Sequence, residues 1–207
     1  MKSKFIVFEG PDGSGKSTIL KKVKESLIEE GHEIYDFREP GGTPISEKIR
    51  NIILDNDNAE MTARCEALLY AASRAQLLKE KIKPLLDRGA IVLCDRFVLS
   101  SLMYQGIGRD LGIEQVKAIN DFAIGQTKPD LTIFFNIDYK TAIDRKRKNF
   151  ESDRLENEED DFHRRIFDGY IDLSKKYKDQ IVTVDATQSI DQVTKDCLSI
   201  IKNSLEE

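Results

Sequence analysis

Cysteine is scarce in this chain and badly spaced for pairing: Cys65, Cys94 and Cys197 are three among 207 residues. An odd number of distant cysteines argues against a disulfide framework or a paired-cysteine zinc site, and favours a reducing compartment. Each lies in an apolar run and reads as a core or helix residue. His32 and His163 are the two histidines; both read as surface helix or turn residues without chemistry. Five prolines and 12 glycines are too few for a fibrous or low-complexity chain. No window approaches the roughly 18 apolar residues that a membrane helix needs. The apolar stretch Phe5 to Phe8 is too short for a signal peptide. Positive charge is not in surplus either, since 32 Lys+Arg against 37 Asp+Glu leave a net −5. That argues against nucleic acid or an anionic membrane bound through a basic surface. A small polyphosphate held by a few placed cations is still allowed.

What remains, 40% hydrophobic and 33% charged residues, is the composition of a soluble globular protein, and a cytoplasmic location is expected. Short apolar runs at Phe5 to Phe8, Ile34 to Phe37, Ile91 to Cys94, Leu131 to Phe135 and Ile181 to Val184 read as strands. Their continuous apolar character suits parallel strands covered on both faces. Helical patterns lie between them: Lys16 to Glu30, Ile45 to Leu54, Thr62 to Asp87, Ile113 to Ile124, Tyr139 to Lys148, Phe162 to Tyr177 and Ile190 to Leu205. This alternation predicts one three-layer α/β domain over residues 1–207, with a five-stranded parallel sheet. A compositional break at Asp144 to Asp161 opens basic and ends acidic. It reads either as a solvated helix face or loop, or as a lid able to close over reacting phosphates.

The first strand runs into Gly10-Pro11-Asp12-Gly13-Ser14-Gly15-Lys16-Ser17-Thr18, which satisfies G-x-x-x-x-G-K-[ST] between a strand and a helix. Glycines let backbone N–H groups approach anionic oxygens, and the helix adds its positive N-terminal end. Lys16 places a cation on the β- and γ-phosphates, and the Ser17 hydroxyl suits Mg²⁺. The strand Ile91 to Cys94 ends at Asp95, the expected second magnesium residue. Arg96 follows at the carboxyl edge of the sheet, where ligands bind in open α/β folds.

A phosphate cradle alone leaves a GTP switch, an ATP-driven machine and a phosphotransferase open. Thr127-Lys128-Pro129-Asp130 matches a base-reading [NT]KxD pattern, but it precedes its strand and reads as a turn. No later strand ends in a D-x-x-G turn, and a machine needs a longer chain with coupling elements. A kinase of a small anionic acceptor needs further cations over the cleft. Arg38, Arg50, Arg74 and Arg96 supply them near helix starts and strand ends, as do Arg145, Arg147 and Arg154 in the charged segment.

The chain resembles the thymidylate (dTMP) kinases essentially end to end. The likeness is carried by Phe8-Glu9-Gly10 through Thr18, Arg38-Glu39-Pro40-Gly41-Gly42, Leu69-Tyr70-Ala71-Ala72-Ser73-Arg74 and Asp95-Arg96-Phe97. Ser100-Ser101, Tyr104-Gln105-Gly106, Pro129-Asp130-Leu131-Thr132 and Asp153-Arg154-Leu155-Glu156 complete it. The resemblance implies a P-loop NTPase fold, a homodimer, and Mg²⁺-dependent transfer of the ATP γ-phosphoryl to dTMP. It implies that the phosphate loop holds ATP, that Asp12 holds the deoxyribose 3′-OH, and that Arg96 grips the acceptor phosphate with Arg38 and Glu39. Tyr70 replaces the usual Phe that stacks on thymine, Arg74 addresses the carbonyl at C4, and Ser101 and Gln105 the base edge. Tyr104 crowds the 2′ position; Arg50 is either a pocket residue or a plain helix charge. Gly13 stands where another branch has a loop arginine, so the basic lid resembles the bacterial branch, with catalytic positive charge at Arg145, Arg147 and Arg154 beside Lys16 and Arg96, and with Asp12 orienting the acceptor. A kinase of another nucleoside monophosphate, or a nucleotide-binding regulator without turnover, is the alternative.

Overall fold

A computed structural model describes residues 3–146, 153–177 and 180–206. The chain runs β1 (Lys4–Glu9), α1 (Lys16–Glu29), β2 (Ile34–Arg38), α2 (Pro44–Leu54), α3 (Ala63–Leu77), α4 (Lys83–Asp87), β3 (Ile91–Asp95) and α5 (Val98–Ser101). It continues through α6 (Ile113–Ile124), β4 (Leu131–Asn136), α7 (Tyr139–Lys146), α8 (Asp160–Lys176), β5 (Ile181–Asp185) and α9 (Ile190–Glu206). Among the described residues the strands form one all-parallel sheet in the order β2-β3-β1-β4-β5. The strands fall where the apolar runs predicted them, as a three-layer α/β fold requires.

Side-chain alternation in β1 divides the core. Ile6 and Phe8 face α1 and α9, packing with Val23, Leu27, Cys197 and Ile201. Phe5 and Val7 face the other layer, with Leu77, Ile82 and Phe97. All four β1 side chains are 0–1% exposed, so each contributes roughly 2 kcal/mol of apolar burial. Covering both faces is why these strands read as unbroken apolar runs.

Two helical segments depart from expectation. The single helix foreseen over Thr62 to Asp87 is α3 and α4 joined by a π-helical turn, Leu78–Ile82. Pro84, at the start of α4, lacks the N–H of a regular ladder and its ring crowds the carbonyl four residues back, which the wider turn relieves. The helix α5, continued by a π-helical segment at Leu102–Gly108, was not foreseen. Leu102, Met103, Tyr104, Gln105, Gly106 and Gly108 are all buried there. A helix without a polar face leaves no amphipathic period to read.

Because the strands are parallel, all their carboxyl ends meet one edge. β1 lies between β3 and β4, so the loop after it opens where the strand order reverses, which is where open α/β sheets bind ligands. The Lys128-Pro129-Asp130 turn lies at the opposite edge: Phe5 N–H donates to Asp130 Oδ2 at 2.7 Å, and Asp130 N–H to Phe5 O at 2.8 Å. It is a structural turn, away from the phosphate loop.

Candidate active site

The loop after β1 turns sharply into α1, with Gly13 at φ +81° and Gly15, the N-cap of α1, at +86° in the left-handed region. Gly13 is required twice over. A Cβ there would sit 2.3 Å from Ala142 O in α7, in a backbone conformation that L residues avoid. Gly13→Ala is therefore expected to cost at least about 2 kcal/mol and to lower the melting temperature by several degrees. A thermal unfolding curve unchanged from wild type would mean that α7 does not close on the loop in this way.

Lys16 is 5% exposed and folds back on the loop, donating to Pro11 O at 2.9 Å and Ser14 Oγ at 3.3 Å. Burial, then the nearby Arg96 guanidinium, pulls its ammonium down to about 8. Ser17 Oγ donates to Asp95 Oδ2, while Asp95 Oδ1 is buried without a partner among the described residues. A hydroxyl and a carboxylate with an unused oxygen are hard donors of the kind Mg²⁺ takes, with its other positions filled by phosphate and water. The residues present fit that ion.

Arg96 stands at φ +69° just past β3, a conformation unusual for a non-glycine residue. Its guanidinium donates to Gly10 O at 3.2 Å, to Ser100 Oγ at 3.0 Å and to Asp12 Oδ1. It also lies 5.1 Å from the Tyr104 ring centroid. Burial disfavours its charge, but Asp12 and then Tyr104 more than offset this and keep it protonated. The Tyr104 hydroxyl donates to Asp12 Oδ2 at 2.7 Å. Glu9, fully buried at the end of β1, accepts from the N–H groups of Phe97 and Ser100 at 2.8 and 3.1 Å and so holds the segment after Arg96. The sequence reading missed that role of Glu9, although a carboxylate ending an apolar strand was a visible signal.

Two cavities flank this centre. One, of about 180 Å³, is lined by Asp12, Glu39, Arg50, Tyr70, Arg74, Arg96, Ser101, Tyr104 and Gln105, with Asp153, Leu155 and Glu156 at the lid side. The other, of about 650 Å³, is lined by Asp12 to Ile19, Arg145 and Glu156, and by the segment after β5 that includes Gln188 and Ser189. Asp12 and Glu156 line both, so the cavities meet at the loop. The residues after β5 were not singled out in the sequence, yet their position at the carboxyl end of a strand was signal enough.

The candidate acceptor residues thus converge, apart from Arg38. Its side chain is exposed and donates to Pro40 O at 2.7 Å and Glu47 Oε2 at 3.1 Å. It lies instead beside Ser17 and Asp95 in a neighbouring groove. Arg50 lines the acceptor cavity and donates to Pro40 O at 3.1 Å. Arg74 is 1% exposed and gripped by protein: Nε donates to Glu39 Oε2 at 2.7 Å, Nη1 to Ser101 Oγ at 3.1 Å and to Asn120 Oδ1, and Nη2 to Phe97 O at 2.9 Å. Burial pushes Glu39 up to about 7 against the pull of Arg74, and its Oε1 has no partner among the described residues. The Tyr70 hydroxyl forms no hydrogen bond with them either, while its ring packs at the edge of the core beneath the lid side.

The three lid arginines part company. Arg145, on α7, lines the phosphate cavity and is tethered to Ala186 O at 2.9 Å. Arg147 lies outside the described residues. Arg154 lines neither cavity; it is 7% exposed, with Nε donating to Ile53 O at 2.8 Å and Nη2 to Glu66 Oε2 at 2.5 Å.

The thymidylate kinase family model matches residues 8–197. A thymidylate kinase from Finegoldia magna is 53% identical over 198 residues, covering 96% of this chain and 97% of that protein. One from Lactobacillus helveticus is 49% identical over 210 residues, covering 100% and 99%. A crystal structure of thymidylate kinase from Ehrlichia chaffeensis superposes with a TM-score of 0.78 at 28% identity, covering 98% of this chain and 99% of that one. A phosphate loop, a metal-suited pair and an arginine-lined acceptor cavity, on a sheet of this order and with relatives this close, lead to one conclusion: the chain belongs to the thymidylate kinase family.

Proposed function

We propose that the protein transfers the γ-phosphoryl group of ATP to dTMP, giving ADP and dTDP. The observation that carries this is the meeting of the two cavities at Asp12, beside Lys16 and Arg96. ATP lies along the phosphate loop and the acceptor nucleotide in the arginine-lined cavity. A phosphate oxygen of dTMP attacks the γ-phosphorus as the bond to ADP breaks. That oxygen is already ionised near neutral pH, since a phosphate monoester has a second pKa of about 6, so no general base is needed. Positioning and charge stabilisation suffice for in-line transfer.

Lys16, Arg96 and Arg145 stabilise charge on the transferring group, and Asp12 orients the acceptor through Arg96 and Tyr104. Ser17 and Asp95 would hold Mg²⁺, which would supply charge neutralisation to the reacting phosphates. The chain acts as one catalytic domain, with residues 144–161 as its lid. We place it in the cytoplasm as a homodimer. No helix among the described residues is long and apolar enough to cross a membrane. Leu68 on α3 and Phe122 on α6, 56% and 92% exposed, give a second copy an apolar surface to cover.

The test is ADP release from ATP with a panel of nucleoside monophosphates. dTMP is expected to be fastest; a faster acceptor, or no release above ATP alone, would refute the assignment. A pH effect follows from Lys16. Its ammonium titrates near 8 in the free protein, and bound phosphates raise that value by favouring the charged form. ATP binding at about pH 8.5 is therefore expected to take up a proton, and affinity to fall as pH rises through this range. Calorimetric titration in buffers of different ionisation heat measures the uptake, and zero uptake would contradict the assigned site of Lys16.

A further inference from the structure

Glu66 belongs to no motif singled out in the sequence, yet it is a fully buried carboxylate beside the acceptor cavity. Oε1 accepts from Gln105 Nε2 at 2.9 Å, and Oε2 from Arg154 Nη2 at 2.5 Å and Arg109 Nη2 at 2.9 Å. Gln105 lines the cavity, is 1% exposed, and its Oε1 has no partner among the described residues. A buried amide oxygen without a donor is costly, and a bound base that supplied one would relieve that cost.

We propose that Glu66 is the positioning residue that sets base selectivity, by holding the Gln105 amide with its nitrogen turned away and its carbonyl offered to the base. The inference rests on the reading of this cavity as the nucleotide acceptor site. An ionised carboxylate only accepts hydrogen bonds, so the Gln105 NH₂ must face Glu66 and its carbonyl the other way. The two arginines keep Glu66 in that state. Burial alone would raise its carboxyl, but hydrogen bonds from Arg109, Gln105 and Arg154 outweigh burial and hold it below the usual range. A carbonyl in the cavity accepts the ring N–H of an imide base such as thymine. It meets the bare ring nitrogen of a cytosine as one lone pair against another. Selectivity thus comes from a repulsive element as much as an attractive one.

The test compares kcat/KM for dTMP with that for 5-methyl-dCMP, which keeps the methyl group but presents an acceptor in place of the ring N–H. Glu66→Gln can donate to the Gln105 oxygen and let the amide turn over. The selectivity ratio is expected to fall about tenfold, the worth of one net hydrogen bond. In a Gln105→Ala background the same substitution should leave the ratio unchanged. Should Glu66→Gln fold poorly, Glu66→Asp keeps the counter-charge for both arginines while withdrawing from Gln105, and a smaller fall is expected. Equal loss on both substrates, with the ratio intact, would reduce Glu66 to a structural role and overturn the proposal. If Gln105→Ala itself leaves the ratio untouched, Gln105 does not read the base, and the proposal falls with that contact. If neither substrate is phosphorylated by the wild-type enzyme, it is the acceptor assignment that fails.

Discussion

Lys16→Met is expected to lower kcat by about three orders of magnitude, the loss typical of removing one preorganised charge or donor from a transition state. In barrier terms this is about 4 kcal/mol. The fold should survive. Lys16 is buried with its charge disfavoured, so an apolar chain of similar length removes a desolvation cost and leaves the Pro11 carbonyl and Ser14 hydroxyl as the groups that lose a donor. Steady-state kinetics beside a thermal melt would separate the two effects. Near-normal turnover would show that the loop is not where the phosphoryl group moves, whereas low turnover with a collapsed melting temperature would mark Lys16 as structural.

The second large effect concerns Arg74. Its four acceptors come from three segments: Glu39 after β2, Asn120 on α6, and both Ser101 and the Phe97 carbonyl at α5. Arg74→Ala strands the buried Glu39 carboxylate, and breaking a buried pair this way costs about 3–5 kcal/mol. For a chain of this size that lowers the melting temperature by roughly 10 °C. The loss depends on pH. The folded-state value of Glu39, about 7, lies above its ordinary 4.5, so its contribution to stability is full below the ordinary value and declines as pH rises through the folded one. Without Arg74 the folded value rises further and the decline extends to higher pH. The variant should thus lose more stability at about pH 8 than at about pH 5. A melting temperature within a degree or two of wild type at both would sink this account. In kinetics, kcat/KM for dTMP should fall far more than that for ATP, because Arg74 lines the acceptor cavity and not the phosphate one.

These effects differ in how they could be foreseen. The role proposed for Lys16 follows from a contiguous motif between a strand and a helix, where local backbone geometry alone places the groups. Arg74 was singled out for a base contact and lines the cavity proposed for the acceptor, but its anchoring of Glu39 depends on residues brought together across 35 positions of chain. Arg145 and Arg154 looked alike in a single basic segment. One lines the phosphate cavity and the other is spent on Glu66 and the Ile53 carbonyl. Nothing in their spacing separates them, because a side chain's direction is set by what packs around it.

Sequence alone determined the five strands and most of the helices between them, the phosphate loop, the acid that ends β3 and many of the residues near the sheet's carboxyl edge. Each depends on periodicity or on neighbours a few residues apart. The tertiary structure decided which arginines face the cleft, why α5 and the segment after it are helical without a polar face, and which way the Gln105 amide points. The last is settled by Glu66, 39 positions away. Burial makes such a contact decisive, since an unpaired polar group inside the protein costs far more than the same group in water.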